Sequence, residues 1–423
     1  MIAGIPILKN RKFFRKQIIV KNNLFLSPLL LIPFSLVIVS SILIYSSQRQ
    51  SLQSDSISHL LTGLVGYFLA ITISFVPLER IKNFVFAFYS ISIVALISLF
   101  FFGITISGSQ RWLSLGFITF QPSEVAKLST ILALAFVLDR KAINSISDLL
   151  LPILVVLLPW TLIFFQPDLG TSLVLIFLFF IMCYWAQMPI EWILITVLSL
   201  ITALITFIFP PILGLWIMFM GFLAYKSFKK KITFSFITIL FHAFIAKITP
   251  FLWNFGLQDY QKNRLILFLD PGKDPLGGGY HLLQSKIAIG SGGLFGTGLL
   301  NGKLTNLRFI PEQHTDFVFS AVGEELGLLG TSFITIFFFI LILKLIKIAK
   351  NARTDFESLV VIGVVAIFLF QIIINIYMTI GLGPVTGIPL PFMSYGRTAL
   401  LINFVFIGLA LSTLKRCRSL KKT

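Results

Sequence analysis

Long apolar runs constrain this fold more than any other feature of the sequence. A bilayer-spanning helix needs about 20 mostly apolar residues, and the 423-residue chain holds twelve such runs. Hydrophobic residues make up 57% of the sequence and charged residues 12%, whereas soluble domains carry about 25% charged residues. This composition excludes a string of soluble domains. It predicts an all-α, polytopic transmembrane helix bundle.

The apolar runs also predict how the chain is organised. A single membrane domain over 1–423 would have a basic tail at 1–24, nine spans within 25–252, a long loop at 253–324, three spans within 325–414 and a tail at 415–423. Long loops without a domain of their own are usually functional. The run at 211–225 is short, so it is either a steep span or half of a re-entrant pair. The runs lie at 25–46, 57–77, 83–106, 122–138, 149–165, 168–186, 190–209, 211–225, 232–252, 325–349, 358–380 and 396–414.

The net charge of +18 predicts the orientation in the membrane. Lys and Arg accumulate in cytoplasmic segments, and 23 of the 34 basic residues lie in the two termini and in alternate connections. Both termini are therefore expected in the cytoplasm and the loop 253–324 outside. A basic protein can also bind nucleic acid, but no basic stretch here lies within a foldable soluble module. The two cysteines, Cys183 and Cys417, allow no disulfide framework and no zinc motif.

Charged residues inside predicted spans are costly and usually functional. Glu124 and Lys127 are three residues apart, so they share a helix face; the alternative is a pair that only neutralises itself. Asp168 follows a proline and can serve as a helix N-cap instead. Glu324 and Glu325 open a predicted span, where the helix dipole favours acidic residues.

The predicted topology gathers polar residues at the outer face. This mixture of carboxylates and cations suits a polyanionic lipid head group beside a carboxylate base. One turn apart in a late span, Gln371 and Asn375 are expected to make interhelical hydrogen bonds. His314 is near the cluster, although a lone histidine is more often structural and that role is favoured for it. The cluster comprises Arg111, Trp112, Glu124, Lys127, Asp168 and Asp316.

A glycine-rich stretch in the long loop resembles a phosphate-binding loop only superficially. Residues 290–296 lack the Rossmann spacing, and Gly302-Lys303 is followed by Leu304 rather than by Ser or Thr. No strand–loop–helix unit is predicted around them. Flexible turns are the expected role of these glycines.

Several longer motifs resemble one family. The chain resembles the SEDS family (shape, elongation, division and sporulation), the RodA/FtsW glycosyltransferases, and it is most similar to the elongation branch. The matching stretches run in family order: GSQRWLSLG at 108–116, FQPSEVAK at 120–127, QPDLGT at 166–171, DPLGGGY at 274–280, QSKIAIGSGG at 284–293, PEQHTDF at 311–317, EELG at 324–327 and GIPLPFMSYG at 387–396.

The resemblance implies a peptidoglycan glycosyltransferase that polymerises lipid II and releases undecaprenyl pyrophosphate. Asp316 matches the catalytic aspartate and would remove a proton from a sugar 4-hydroxyl, with inversion at the donor carbon. Arg111, Lys127 or a divalent cation would stabilise the leaving pyrophosphate; no metal ligands are assigned. Further substrate-binding residues implied by the matching motifs are Trp112, Glu124, Asp168, Gln284, Ser285, Lys286, His314 and Tyr395.

The resemblance further implies a bacterial cytoplasmic membrane protein with an extracytoplasmic site. Expected partners are a class B penicillin-binding protein with transpeptidase activity and other membrane proteins of the elongation complex. The alternatives are a flippase for lipid-linked precursors, a division-type FtsW paralogue and a catalytically idle scaffold, although the intact motif around Asp316 argues against the scaffold. A flippase needs charges along a path to the inner face, whereas here they gather at the outer end.

The sequence departs from the family pattern in two places. The family has ten spans and twelve are predicted here, with the additional pair between residues 190 and 252. The Ser-Tyr-Gly-Gly of the family reads Ser394-Tyr395-Gly396-Arg397. An arginine beside the site would either add a phosphate contact or extend its charge to the membrane surface.

Overall fold

A computed structural model describes most of the chain. The described residues are 27–49, 54–106, 109–116, 118–141, 143, 145–228, 230–256, 259–274, 278–307, 309–310 and 313–419. The predicted basic tail at 1–24 and residues 420–423 of the other tail lie outside them. The chain divides into two compact units, a smaller one that holds 187–266 and a larger one that holds the other described residues. Each unit is described by itself.

Helices account for all twelve predicted apolar runs. Among the described residues, nine helices are long and apolar enough to cross a membrane, and Leu169–Trp185 is a shorter apolar helix. The predicted all-α membrane bundle is therefore confirmed. In chain order the helices are α1 Pro28–Ser47, α2 Ser56–Ile73, α3 Leu78–Lys82, α4 Val85–Phe102, α5 Pro122–Arg140, α6 Leu150–Phe165, α7 Leu169–Trp185, α8 Ile190–Ile208, α9 Leu213–Ser227, α10 Lys231–Phe251, α11 Asp259–Leu269, α12 Gly278–Ser291, α13 Lys303–Asn306, α14 Val318–Lys350, α15 Asp355–Thr379 and α16 Arg397–Ser419.

A small β-sheet joins α4 to α5, which the sequence did not predict. Its strands are β1 Ile104–Ile106, β2 Ser109–Leu115 and β3 Ile118–Phe120, paired antiparallel in chain order. β-Branched and aromatic residues favour these short strands, and Gly116 adopts a positive φ of 74° at the second turn. The sheet carries Arg111 and Trp112, so it positions two of the predicted site residues.

Helix α15 forms the centre of the larger unit, because it packs against α5, α7, α14 and α16. A Cβ atom added to Gly363 of α15 would lie 2.7 Å from Ile131 of α5 and 3.1 Å from Met182 of α7. The absence of a side chain there lets three helices approach closely. Edge-to-face aromatic pairs with ring centroids 5.3–5.8 Å apart complete this core.

Ion pairs join the connections at one end of the larger unit. Arg416 of α16 binds Glu79 in α3 at 2.7 Å and Glu357 in α15 at 2.9 Å. The hydrogen bond from Arg416 is the main cause that holds the pKa of Glu79 below its usual value. These are connections that the charge pattern places in the cytoplasm. Their grouping agrees with the predicted alternation of spans, while the sidedness itself stays a prediction.

In the smaller unit, α8, α9 and α10 pack together around a buried polar group. The Thr202 hydroxyl bonds His242 Nδ1 at 2.6 Å and accepts a hydrogen bond from the Trp216 indole at 2.9 Å. The predicted short run forms a 3₁₀ turn at Pro210–Ile212 followed by α9, which has 15 residues.

Candidate active site

A buried ion pair lies in the first turns of α5. Lys127 Nζ donates to Glu124 Oε1 at 2.7 Å, and the two residues are 1% and 3% exposed. The predicted shared face is confirmed. Glu124 Oε2 is buried and has no hydrogen-bond partner among the described residues. Because an unpaired buried acceptor is costly, this carboxylate suits a site that a ligand or water fills.

A second ion pair links the β-sheet to α7. Arg111 lies 3.6 Å from Asp168, and it also donates to the carbonyl of Pro167. Asp168 caps α7 by accepting from the backbone N–H of Thr171 at 3.2 Å and from its hydroxyl at 2.9 Å. Both predictions for Asp168, the N-cap and the place beside Arg111, are confirmed. Trp112 is half-buried on β2, opposite Ile104.

The backbone of Asp316 is fixed by α15. Asn375 Nδ2 donates to the carbonyl of Asp316 at 2.9 Å and to that of Ile388 at 2.8 Å. A Cβ atom added to Gly170 would lie 3.0 Å from the carbonyl of Thr386, so the 386–388 segment lies against the start of α7. One connection therefore links the region of Asp316 to the region of Asp168. Asn375 was predicted to bond a neighbouring helix. Its hydrogen bonds go instead to the backbone of two connecting segments.

Helix direction places further polar residues at the depth of Glu124. Lys82 pairs with Asp139 near the end of α5 and lies 5.3 Å from the ring of Phe356 at the start of α15, so these two helices are antiparallel. Gly363 of α15 contacts Ile131 of α5. Gln371 lies about two turns further along α15, and the first turn of α5 lies about two turns before Ile131. Because the helices are antiparallel, Gln371 is level with the first turn of α5.

Helix α16 runs parallel to α5. The Thr398 hydroxyl in the first turn of α16 lies 3.5 Å from the carbonyl of Thr119 in β3, just before α5. Asn403, in the second turn of α16, therefore lies at the same end of the unit as Glu124. The side-chain oxygens of Gln371, Asn375 and Asn403 are buried without a partner among the described residues. Sequence reasoning missed Asn403, although a lone amide within an apolar helix is a signal for it.

Tyr395 and His314 come together as neighbours. The backbone N–H of Tyr395 donates to the carbonyl of His314 at 2.9 Å, and the ring centroids are 6.0 Å apart. The Tyr395 side chain hydrogen-bonds Asp55, Ser58 and Arg397, and burial is the main cause that raises its pKa. Arg397 is the first residue of α16 and is exposed.

Helix α12 supports the turn that contains Asp316. The His281 ring stacks on Phe317 with centroids 6.2 Å apart, and Ser285 donates to the carbonyl of Thr379 at 2.7 Å. Ser285 is fully buried, so we assign its hydroxyl to packing rather than to substrate. Gln284 is half-buried and Lys286 is exposed.

Glu324 and Glu325 do not open a span. Helix α14 begins at Val318 and is broken at Gly327, whose φ is 65°, so the two acids lie at the end of its first segment. The predicted interaction with the N-terminal dipole is wrong. Glu324 accepts from the backbone N–H groups of Leu304 and Thr305 at 2.8 and 2.9 Å.

Glu325 binds the same connecting segment through further hydrogen bonds. Glu325 accepts from the backbone N–H of Leu300 at 3.0 Å and from the Ser46 hydroxyl of α1. Both glutamates are buried. Together they hold 300–305 against α1 and α14, which fixes the segment that leads to Asp316.

The glycine-rich stretch packs against the break in α14. The backbone N–H of Leu328 donates to Gly293 at 2.9 Å, and that of Thr297 donates to Glu324 at 2.9 Å. A Cβ atom added to Gly292 would lie 2.9 Å from the carbonyl oxygen of Glu324. These glycines form the turns that the sequence predicted, with positive φ at Gly293 and Gly296, and they also permit close backbone packing.

Within the described part of the chain, the carboxylates of the site are not clustered for a divalent cation. Among the described residues, no group of three or more His, Cys, Asp or Glu side chains could hold a metal ion. Lys127 already neutralises Glu124, and Arg111 pairs with Asp168. The other buried acceptors are the neutral amides of Gln371, Asn375 and Asn403. Hard divalent cations usually bind through carboxylates instead.

Comparison with known proteins places the chain in a family. Residues 21–216 and 211–419 match the FtsW/RodA/SpoVE family of cell cycle proteins. The chain belongs to this family. The two stretches meet at the start of α9, within the region where the additional spans were predicted.

Curated relatives of this family member match over nearly their full length. It is 33% identical over 398 residues to the peptidoglycan glycosyltransferase MrdB of Escherichia coli K12, covering 93% of this chain and 95% of the relative. It is 32% identical over 421 residues to the peptidoglycan glycosyltransferase RodA of Treponema pallidum, covering 91% and 96%.

Solved structures share the architecture. A chain from a peptidoglycan synthase complex, described as coordinating polymerization and crosslinking, matches with a TM-score of 0.69, 27% identity and coverage of 92% of this chain and 97% of that one. The rod shape determining protein RodA of Thermus thermophilus matches with a TM-score of 0.60, 23% identity and coverage of 92% and 96%. The second likeness shows the fold alone.

Proposed function

We propose that this chain is a bacterial peptidoglycan glycosyltransferase of the elongation type. It polymerises lipid II into β-1,4 glycan strands and releases undecaprenyl pyrophosphate. One observation carries the proposal: the backbone of Asp316 is fixed on α15 at the same end of α15 as the buried Glu124–Lys127 pair of α5. The named activity of the full-length relatives supports the same reaction.

Asp316 acts as the general base in this proposal. A sugar hydroxyl is a poor nucleophile near neutral pH, so a carboxylate removes its proton as it attacks. The hydroxyl oxygen forms the new bond to C1 of the donor while the bond from C1 to the pyrophosphate oxygen breaks. A single displacement inverts an α-linked donor to a β-linked product. The half-buried position of Asp316 leaves its carboxylate reachable by a substrate.

Lys127 and Arg111 stabilise the negative charge that develops on the leaving pyrophosphate. Cations preorganised in a site of low dielectric stabilise such charge strongly. Lys127 is 1% exposed, and Glu124 holds its ammonium in place. Arg111 keeps a buried Nε without a partner among the described residues, so it has a donor available for a phosphate oxygen.

Polar groups near Glu124 bind the sugars. Gln371 and Asn403 present side-chain oxygens that are buried and unpaired within the described residues, which suits hydroxyl donors of a disaccharide. Trp112, His314 and Tyr395 supply half-buried rings for contact with sugar or lipid. Lys286 and Gln284 of α12 contribute at the rim.

We place the protein in the bacterial cytoplasmic membrane, with both termini in the cytoplasm and the site at the outer surface. The distribution of Lys and Arg supports this orientation. The apolar helices and the family support an integral membrane protein.

We further propose a transpeptidase of the class B penicillin-binding protein type as partner, together with other membrane proteins of the elongation complex. The related structure comes from a complex that coordinates polymerization with crosslinking. A partner that crosslinks new strands at the same membrane surface would use the polymer as it forms.

The test is polymerisation of lipid II by purified full chain carrying Asp316→Asn. The expected result is a loss of at least about 100-fold in rate, in the range of general base catalysis. Asp259→Asn is the matched control, because this side chain is 96% exposed; it should retain the wild-type rate.

Two outcomes would overturn the proposal. Polymerisation at the wild-type rate by a D316N protein with an unchanged melting temperature would remove Asp316 as the base. Transport of labelled lipid II across vesicles by the wild type, without polymer, would favour the flippase alternative.

A further inference from the structure

Three lysines of the smaller unit define a basic surface, here called the lysine patch. It comprises Lys226, Lys230 and Lys231, which lie at the adjoining ends of α9 and α10. All three are exposed. Among the described residues none of them forms an ion pair, unlike Lys82, Lys127 and Lys141 of the larger unit. The patch therefore keeps its positive charge free.

Acidic residues do not compensate the patch. Within 187–266 the acids are Glu191 and Asp259. Asp259 follows α10 at the opposite end of that helix and lies 3.6 Å from Lys262. Glu191 is at the start of α8, beside the patch, and forms no ion pair within the described part of the chain. Three described lysines thus face one glutamate.

Aromatic rings form a platform under the patch. Phe228 stacks between Trp192 of α8, with centroids 6.1 Å apart, and Phe234 of α10, with centroids 4.5 Å apart. Lys231 Nζ lies 5.5 Å from the ring of Tyr225. Trp and Tyr favour the level of the lipid head groups, so these rings place the patch at a membrane interface.

The helix surface that continues from the patch is apolar and exposed. Ile232 is 79% exposed, Phe236 60% and Met218 70%. An occupant must therefore carry negative charge at one end and hydrocarbon beyond it. That description fits an anionic phospholipid, because basic clusters at the cytoplasmic end of spans attract its head group.

We propose that the lysine patch binds the head group of an anionic phospholipid, with the acyl chains lying along the exposed faces of α9 and α10. The lysines neutralise the phosphate, and the stacked rings hold the glycerol region. This site belongs to the smaller unit and makes no use of the catalytic residues. Failure of the proposed polymerase activity would leave it unaffected.

Photo-crosslinking of a single position tests the proposal. The full chain, with p-benzoylphenylalanine in place of Ile232, is reconstituted in two sets of vesicles. One set contains a small fraction of alkyne-tagged phosphatidylglycerol, and the other contains the same fraction of alkyne-tagged phosphatidylcholine. The crosslinking yield is measured in each set. Each nearby basic residue attracts an anionic lipid by about 1 kcal/mol, so we expect about fivefold or greater preference for phosphatidylglycerol. The preference should fall at high salt, because surface charges are screened.

Matched variants distinguish a lipid site from a general charge effect. Lys226, Lys230 and Lys231 all changed to Gln should bring the two crosslinking yields close to equality, while the same residues changed to Arg should keep the preference. The control variant removes three charges from α14 instead, by changing Lys344, Lys347 and Lys350 to Gln. It should leave the lipid preference unchanged.

Two results would overturn the proposal. One is equal crosslinking of both lipids by the wild-type lysine patch. The other is an unaltered preference in the Gln variant of the patch. Equal melting temperatures of the Gln and Arg variants would confirm that the fold is retained.

Discussion

At the scale of single residues, the buried pair of Glu124 and Lys127 governs the candidate site. Removing one partner of a buried ion pair leaves an uncompensated charge, which costs more than the pair contributed. The pair is therefore expected to be sensitive in two ways. Loss of Lys127 affects catalysis through the missing cation and stability through the stranded carboxylate.

Lys127→Met should lower the rate of lipid II polymerisation by about 100-fold, since it removes a preorganised cation. The variant with both Glu124→Gln and Lys127→Met should recover the melting temperature without recovering the rate. Lys303→Met, at an exposed position, serves as the control. An unchanged rate in Lys127→Met would return the pair to a purely structural role.

Two asparagines allow a sharper test of substrate binding. Asn375 makes two hydrogen bonds to backbone carbonyls, whereas Asn403 Oδ1 has no partner among the described residues. Asn403→Leu should raise the KM for lipid II with little loss of stability. Asn375→Leu should lower stability by about 1 kcal/mol for each lost bond. Steady-state kinetics with thermal melting would separate the two, and an unchanged KM in Asn403→Leu would contradict its role.

At the scale of elements, the sequence predicted spans better than connections. Each of the twelve apolar runs contains a helix in the described part of the chain, and nine of these helices are long and apolar enough to span a membrane, where each span must satisfy its own backbone hydrogen bonds. The sheet at 104–120 was missed, because its short strands lie among polar residues and gain stability from pairing with each other. Glu324 was misread, because the break at Gly327 places it at the end of a helical segment rather than at a beginning.

The break in α14 offers a test at this scale. Gly327 has a φ of 65° and its missing Cβ would lie 2.7 Å from the carbonyl oxygen of Leu294. Gly327→Ala should therefore destabilise the protein by about 1–3 kcal/mol, the cost of such backbone strain, and displace the 293–298 segment. Gly214→Ala is the matched control, since no atom lies within 4 Å of its added Cβ.

Thermal melting and hydrogen exchange over 293–306 would measure both effects. We expect a lower melting temperature and faster exchange in Gly327→Ala alone. Equal behaviour of the two variants would show that the contact between the glycine-rich stretch and α14 carries little stability.

At the scale of the whole molecule, the candidate site required information that the sequence holds only in part. Motif order predicted Asp316 and the Glu124–Lys127 pair, and the charge pattern predicted that they share one face. Asn403 was missed although it is a lone amide in an apolar helix, because only the packing of α16 beside α5 shows that it lies at the same end of the unit as the site. Ser285 was assigned to substrate by its motif, yet packing buries it against Thr379.

The orientation in the membrane is the last prediction, and it decides whether the site can meet an extracytoplasmic substrate. The test uses a Cys417→Ser background, which leaves Cys183 as the native cysteine. Cys183 is fully buried and should not react with a charged maleimide. Lys303→Cys should then be labelled in intact spheroplasts, since the long loop is expected outside. Lys350→Cys, at the far end of α14, should be labelled only after permeabilisation, because basic connections remain in the cytoplasm. Labelling with the opposite pattern would invert the topology and place Asp316 on the wrong side for polymerisation of exported lipid II.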